Sequence, residues 1–428
     1  MTGLAVWLDE HEVGWLKPAG GGGAASRLSL GYLERWTSEV LAFPLAPPLP
    51  LPARGGPGSE REDEAAGRFF ERLLPDGDAR RRSAAALGLA PDDVFGALRH
   101  MGRDAAGAVR LIDEDRPRPA GPAQRLVTRE ELSERLRHRD AAPFAVWDGQ
   151  VRGVLAGERD KLGVYVEPDG GWYLVDGPQM ASTHVLKPAP ASPARRDQPF
   201  DEYFCMRLAA RVGLDVAAVQ LHCVPEPVLL VARFDRQRLE DGRVRRLHAI
   251  DARQALGKPP RRASGHAPEQ AEEQAPGASD VTDAERFALI KHSPTPLIDG
   301  RALLRWTVFR QLIGSDAAAA DNLCFFVDHG GLRLAPAFGL ASGPADGPAG
   351  GPAGGDGVID DWAGFARDCD LAPRSLALEL RRMSDLVPAQ ARALADELSG
   401  EVPRAVVERL LDTVDEKARR MAGFAVRG

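Results

Sequence analysis

The stretch Ser182-Thr-His-Val-Leu-Lys-Pro188 decides how this 428-residue chain is read. Its centre, His184-Val-Leu-Lys187, is a short strand pattern that ends on a lysine. Before it, Phe144-Ala-Val-Trp147, Leu162–Val166 and Trp172–Val175 are further short apolar runs, separated by Gly and Asp. Runs of this length between turn residues predict strands. After it, Phe200–Val212 carries Phe204, Leu208 and Val212 at intervals of four, which predicts one apolar side of a helix. Val228–Phe234 is an apolar run suited to a buried strand. The order is strands, one helix, another strand, which is an α+β unit.

Outward toward the N-terminus, Leu4–Trp7 and Val13–Leu16 predict an opening hairpin, and the Leu- and Pro-rich residues 41–54 an extended segment. Ala65–Leu74 predicts a helix with Phe69, Phe70, Leu73 and Leu74 inward, stopped by Pro75-Asp-Gly. Ala84–Leu89, Pro91–Met101 and Glu130–His138 predict short helices, Gly107–Ile112 a strand, and Glu114–Gln124 a polar connector. Outward toward the C-terminus, residues 259–280 are polar and rich in Ala, Pro and Glu. Leu303–Leu312 is an amphipathic helix, and Cys324–Val327 with Leu332–Leu334 brackets a hairpin turn. Residues 341–357 are dominated by Gly, Pro and Ala, a composition that cannot pack a core, so a flexible loop is expected. Helices at 374–399 and 403–421 close the chain. The expected units are an N-terminal subdomain over 1–139, a strand lobe over 140–285 and a helical lobe over 286–428. A strand lobe built this way matches the pattern of a nucleotide-binding kinase N-lobe.

Hydrophobic residues make up 44%, enough for real cores, and the net charge is -7. An acidic chain is not expected to coat nucleic acid by itself. Four scattered cysteines with no CxxC pair argue against a disulfide framework or zinc site and for a reducing, cytoplasmic setting. Met1-Thr-Gly-Leu-Ala-Val lacks the basic start of a secretory leader, and no stretch approaches a membrane span.

Several words in this order resemble the HipA family, the kinase-fold toxins of bacterial type II toxin–antitoxin systems. They are Val6-Trp-Leu with Val13-Gly-Trp-Leu, Phe69-Phe-Glu-Arg-Leu-Leu-Pro-Asp-Gly-Asp78 and Gly102-Arg-Asp-Ala-Ala-Gly-Ala-Val109. Ser182-Thr-His-Val-Leu-Lys-Pro188, Arg233-Phe-Asp-Arg236, His248–Gly257, Leu312-Ile-Gly314 and Leu334-Ala-Pro-Ala-Phe-Gly-Leu340 follow. The resemblance implies a HipA-like two-lobed protein-kinase-like fold with an N-terminal subdomain. It implies ATP and magnesium as cofactors and a small dimeric DNA-binding antitoxin as partner. It also implies translation factors, such as aminoacyl-tRNA synthetases, as substrates of active members.

Carried over residue by residue, Lys187 takes the place of the lysine that meets the ATP phosphates. Glu202 takes the place of the glutamate that orients it, with Asp201 as rival. Gly157 and Lys161 remain from the phosphate-covering loop, but Val154 replaces its serine, and Glu158 and Asp160 would repel phosphate oxygens. The backbone around Phe234 and the Asp235 carboxylate match an adenine- and ribose-binding hinge, although Arg233 and Asp235 could equally pair with each other.

The catalytic segment departs from the family. Leu312-Ile-Gly-Ser-Asp-Ala-Ala-Ala-Ala-Asp-Asn322 aligns Ala317 with the catalytic aspartate and keeps only Asn322, a magnesium ligand by resemblance. Asp316 is the displaced base candidate, one residue early. In Pro336-Ala-Phe-Gly-Leu340, Gly339 replaces the second metal ligand. Hard magnesium needs carboxylates beside the phosphates. The sequence therefore points to a catalytically impaired kinase fold that acts by binding an antitoxin-like partner and meets DNA only through that complex. The alternative is an active ATP- and magnesium-dependent Ser/Thr kinase toxin. It would use Asp316 or Asp321 as base and Asp328 or Asp356 at the metal.

Overall fold

The computed structural model describes residues 3–19, 27–52, 60–115, 124–139, 143–152, 155–157, 159–177, 179–260, 281–315, 322–343 and 359–425. The strand that carries Lys187, His184–Pro188, lies inside a six-stranded antiparallel sheet. It pairs with Leu162–Val166 on one side and Pro227–Ala232 on the other. Trp172–Val175 and Gln124–Leu126 extend the first side, and Val219–Cys223 closes the second. Strands alternate side chains between two faces. Leu162, Val164, Leu186, Val228 and Leu230 point to one face and close over Trp147, Leu132 and Leu136. The opposite face receives the helix Gln198–Arg211, whose Phe204, Cys205 and Leu208 are buried with Leu229 and Val231.

A second, four-stranded sheet opens the chain, in the order Leu28–Tyr32, His11–Pro18, Leu4–Leu8, Val109–Ile112. Helices Glu60–Glu71, Gly77–Ala86 and Val94–Met101 accompany it. The C-terminal lobe is helical: Asp283–Ile290, Pro296–Leu312, Trp362–Asp368, Pro373–Glu397 and Arg404–Ala425. A three-stranded sheet, Ala249–Asp251, Cys324–Asp328 and Gly331–Leu334, sits at its junction with the strand lobe. One buried cluster runs from Leu4 to Met421 and joins the first sheet to the helical lobe.

Some expectations need correction. The helix before Pro75 ends at Glu71, ahead of the proline as expected, but the next helix starts early. Asp76 is extended and starts a helix at Gly77, seven residues before the expected start at Ala84. The strands Leu28–Tyr32, Gln124–Leu126 and Val219–Cys223 were not legible. All three are sheet edges with half-exposed, partly polar faces, so they lack clean alternation. Gln124–Leu126 and the helix Arg129–Arg137 lie before residue 139, yet both pack with the six-stranded sheet. The expected loop falls mostly outside the described residues, as do Val154, Glu158, Asp316, Ala317, Asp321 and Asp356. No helix among the described residues is long and apolar enough to cross a membrane, and all four cysteines are free thiols.

A cationic cluster and an amide in place of a metal site

Lys187 stands at the end of its strand and faces the first turns of helix Gln198–Arg211. Its ammonium donates to Glu202 Oε1 at 2.5 Å, and Arg159 Nη1 lies 3.4 Å from Glu202 Oε2. The Glu202 side chain is only 2% exposed. Burial alone would raise its pKa, but Lys187 and Arg159 together hold it below the ordinary carboxylate value. Asp201, one residue earlier, turns about 100° around the helix and leaves the site. It accepts from Ser342 N at 2.7 Å and from Arg409 Nη2 at 3.0 Å, and so ties this helix to the helical lobe. The rivalry between the two carboxylates is thus settled by geometry: Glu202 faces the lysine.

The phosphate-loop positions gather beside the same pair. Gly157 has φ +111°, and a Cβ there would lie 2.5 Å from Lys161 Nζ, so the loop depends on glycine at this point. Gly157 is also tied to the N-terminal subdomain, since its carbonyl accepts from Asp76 N at 3.2 Å. Lys161 donates to the Ala156 carbonyl. Burial first, then the charges of Lys187 and Arg159, push its ammonium down to about 7. Asp160 accepts from Arg82 at 3.1 Å, so its charge is paired across the domain seam. The expected repulsion from Asp160 is correspondingly offset. Arg159, Lys161 and Lys187 form a cationic patch that fits phosphate oxygens.

The hinge residues are committed elsewhere. Asp235 accepts from Arg233 at 2.9 and 2.7 Å, from Gly107 N at 2.7 Å, and lies 3.0 Å from Arg236. Arg236 in turn reaches Asp104 at 3.0 Å, and Ser182 N donates to Asp104 at 3.0 Å. Burial opposes ionisation of Asp235 and Asp104, yet the surrounding arginines hold both carboxylates below their usual range. Burial also lowers Arg236 to about 10. Gly107 has φ +70°, and a Cβ there would lie 2.4 Å from the Ala249 carbonyl. Two sequence words, Gly102–Val109 and Arg233–Arg236, therefore meet as one buried lock. Each word stands out in sequence, but no local pattern shows that they bond to each other. Phe234 packs between Phe326 and Phe338, with ring centroids 5.8 and 5.5 Å away.

Asn322 and Gly339 are neighbours, as two metal-ligand positions should be. The Asn322 amide donates to the Gly339 carbonyl at 3.1 Å. Gly339 has φ +64°, and a Cβ there would lie 2.6 Å from Asn322 Nδ2. The amide is held by its NH₂, and position 339 brings none of the carboxylate oxygens that magnesium needs. The described residues therefore fit phosphate but do not fit magnesium. Asp328 is occupied at its hairpin turn, where it accepts from Gly330 N at 2.7 Å.

A strand lobe with a paired lysine and glutamate, joined to a helical lobe, defines a protein-kinase-like scaffold. The HipA N-terminal domain matches residues 4–112 and the HipA-like C-terminal domain residues 153–417. Protein Y4mE of Sinorhizobium fredii is 33% identical over 410 residues, covering 92% of this chain and 91% of that protein. The serine/threonine-protein kinase toxin HipA of Shewanella oneidensis is 27% identical over 327 residues, covering 74% and 70%. A solved structure of Shewanella oneidensis HipA with HipB and operator DNA matches with TM-score 0.75 at 22% identity, over 99% of this chain and 98% of that one. The chain belongs to the HipA family.

Proposed function

We propose that this protein is a catalytically impaired HipA-family member that acts by binding. Its partner would be a small DNA-binding antitoxin-like protein, and it would reach DNA only through that complex. The observation that supports the impairment is Gly339, which stands against Asn322 with no carboxylate to offer a metal and with the room for a side chain already filled. The binding role is supported by family membership and by the Shewanella HipA–HipB–operator complex, whose fold this chain shares over nearly its whole length.

ATP and magnesium are the cofactors of the active alternative. Here Lys187, Lys161 and the Gly157 turn would hold phosphates by charge and backbone shape, with Glu202 orienting Lys187. Phe234 and Asp235 belong to the hinge, and Asp235 would have to leave its arginines to meet a ribose. The test is nucleotide binding by the full chain with and without magnesium. ATP affinity unchanged by the metal, or no ATP binding, supports impairment. Binding that requires magnesium supports the active kinase. A pull-down of the full chain from its own host tests the partner: recovery of a small DNA-binding protein is expected, and recovery of no small partner would contradict it.

A further inference from the structure

A cavity of about 300 Å³ lies at the seam between the N-terminal subdomain and the strand lobe, and none of the nucleotide-site positions above lines it. It is bounded by the end of helix Val94–Met101, the hairpin around Gly149–Arg152 and the segment from Val175 to Met180. In a chain of net charge -7 its lining is basic: Arg99, Arg103, Arg152 and Arg246 face two acids, Asp104 and Asp176.

The charges differ in how far they are already committed. Asp104 is consumed by the buried lock with Arg236 and Arg233. Arg246 donates to the Met180 carbonyl. Arg103 makes only a long contact with Asp176, at 3.8 Å. The Arg152 Nε is buried and, among the described residues, has no hydrogen-bond partner. A buried guanidinium nitrogen without an acceptor is costly, and a ligand oxygen would supply one. Arg99 is already paired with Asp113 and Arg246 is already bonded, which leaves Arg103 and Arg152 against Asp176, an excess of positive charge that a phosphate monoester would meet. The rest of the lining mixes apolar Met101, Val151, Val175 and Met180, which suit a flat ring, with His100 and Gln150. The volume falls at the small end of ligand pockets.

We propose that this seam cavity is a binding site for a nucleoside monophosphate, separate from the Lys187 cluster. The phosphate would lie against Arg152 and Arg103, and the base against Met101 and Met180. Because the site spans two units, its occupation would brace the N-terminal subdomain against the strand lobe.

The test is calorimetric titration of the full chain with AMP, adenosine and inorganic phosphate. AMP should bind, inorganic phosphate more weakly, and adenosine not measurably. Arg152→Ala and Arg103→Ala should each raise the AMP Kd by about tenfold or more, the loss expected of a charge-assisted hydrogen bond. Lys187→Ala should keep the same AMP site. Arg152→Gln provides a milder variant should the alanine protein fail to fold, with circular dichroism as the control. The proposal is overturned if AMP does not bind, if adenosine binds as well as AMP, or if AMP binding follows Lys187 and ignores Arg152 and Arg103.

Discussion

The Asn322 side-chain amide donates to the Gly339 carbonyl at 3.1 Å, and the space beside Gly339 that a Cβ would need is taken by the same amide nitrogen. A carboxylate at position 339 is therefore opposed by the fold. Gly339→Asp must hold a side chain at φ +64° and displace Asn322. We expect a loss of about 1–3 kcal/mol in urea unfolding from the backbone strain. An unchanged midpoint would show that the turn relaxes freely.

Glu202 depends on its cations. Lys187→Met leaves a carboxylate only 2% exposed with Arg159 as its remaining neighbour at 3.4 Å. The expected loss lies toward the lower end of the ~3–5 kcal/mol typical of breaking a buried pair, because Arg159 persists. Adding Glu202→Gln to Lys187→Met should recover part of it, and a double-mutant cycle reads this directly. The sign with pH follows from the depressed Glu202 pKa. Its stabilisation is full above the unfolded carboxylate value and fades as pH falls through the folded one. Glu202→Gln should therefore be less stable than the parent chain at neutral pH and lose stability less steeply as pH falls into the acid range.

Lys161 gives the opposite dependence. Its folded pKa is pushed down to about 7 from 10.5, so between those values the unfolded chain binds more protons. This residue makes stability rise with pH across that window, by up to about 1.4 kcal/mol per unit. Lys161→Met should remove that rise. Parallel stability profiles for the two proteins between about pH 7 and 10 would refute the assignment.

The lock between Gly102–Val109 and Arg233–Arg236 should be a main support of the domain seam. Asp235→Asn strips a charge from Arg233 and Arg236, both nearly fully buried. A loss of about 3–5 kcal/mol is expected. A loss below about 1 kcal/mol, measured by chemical unfolding, would show that the network relaxes around the change.

The parts of this fold legible in sequence are those with a local signal. The Lys187 strand, the Glu202 helix and the Cys324–Leu334 hairpin read correctly because apolar spacing and turn residues sit within a few positions of each other. Edge strands such as Val219–Cys223 failed because a sheet edge needs no strict alternation. The pairing of Asp160 with Arg82, and of Asp235 with Gly107, joins residues 78 and 128 positions apart, and no local pattern announces it. Arg159 stands beside Glu202 in the same ion cluster, 43 positions away in sequence, and no local pattern announces that contact either. For the catalytic segment, sequence alignment and geometry meet only at Asn322 and Gly339.

Phosphoryl transfer itself tests the central claim most directly. The full chain is given labelled ATP with magnesium or manganese and extract from its own host, and incorporated phosphate is followed, alongside the Asp316→Ala protein. Transfer relies on metal ions and fixed charges to neutralise the phosphates, and a general base adds a further ~10²–10⁴. The account predicts no metal-dependent labelling above background in either protein. Robust labelling by the parent chain that disappears in Asp316→Ala would contradict it and make Asp316 the catalytic base of an active kinase.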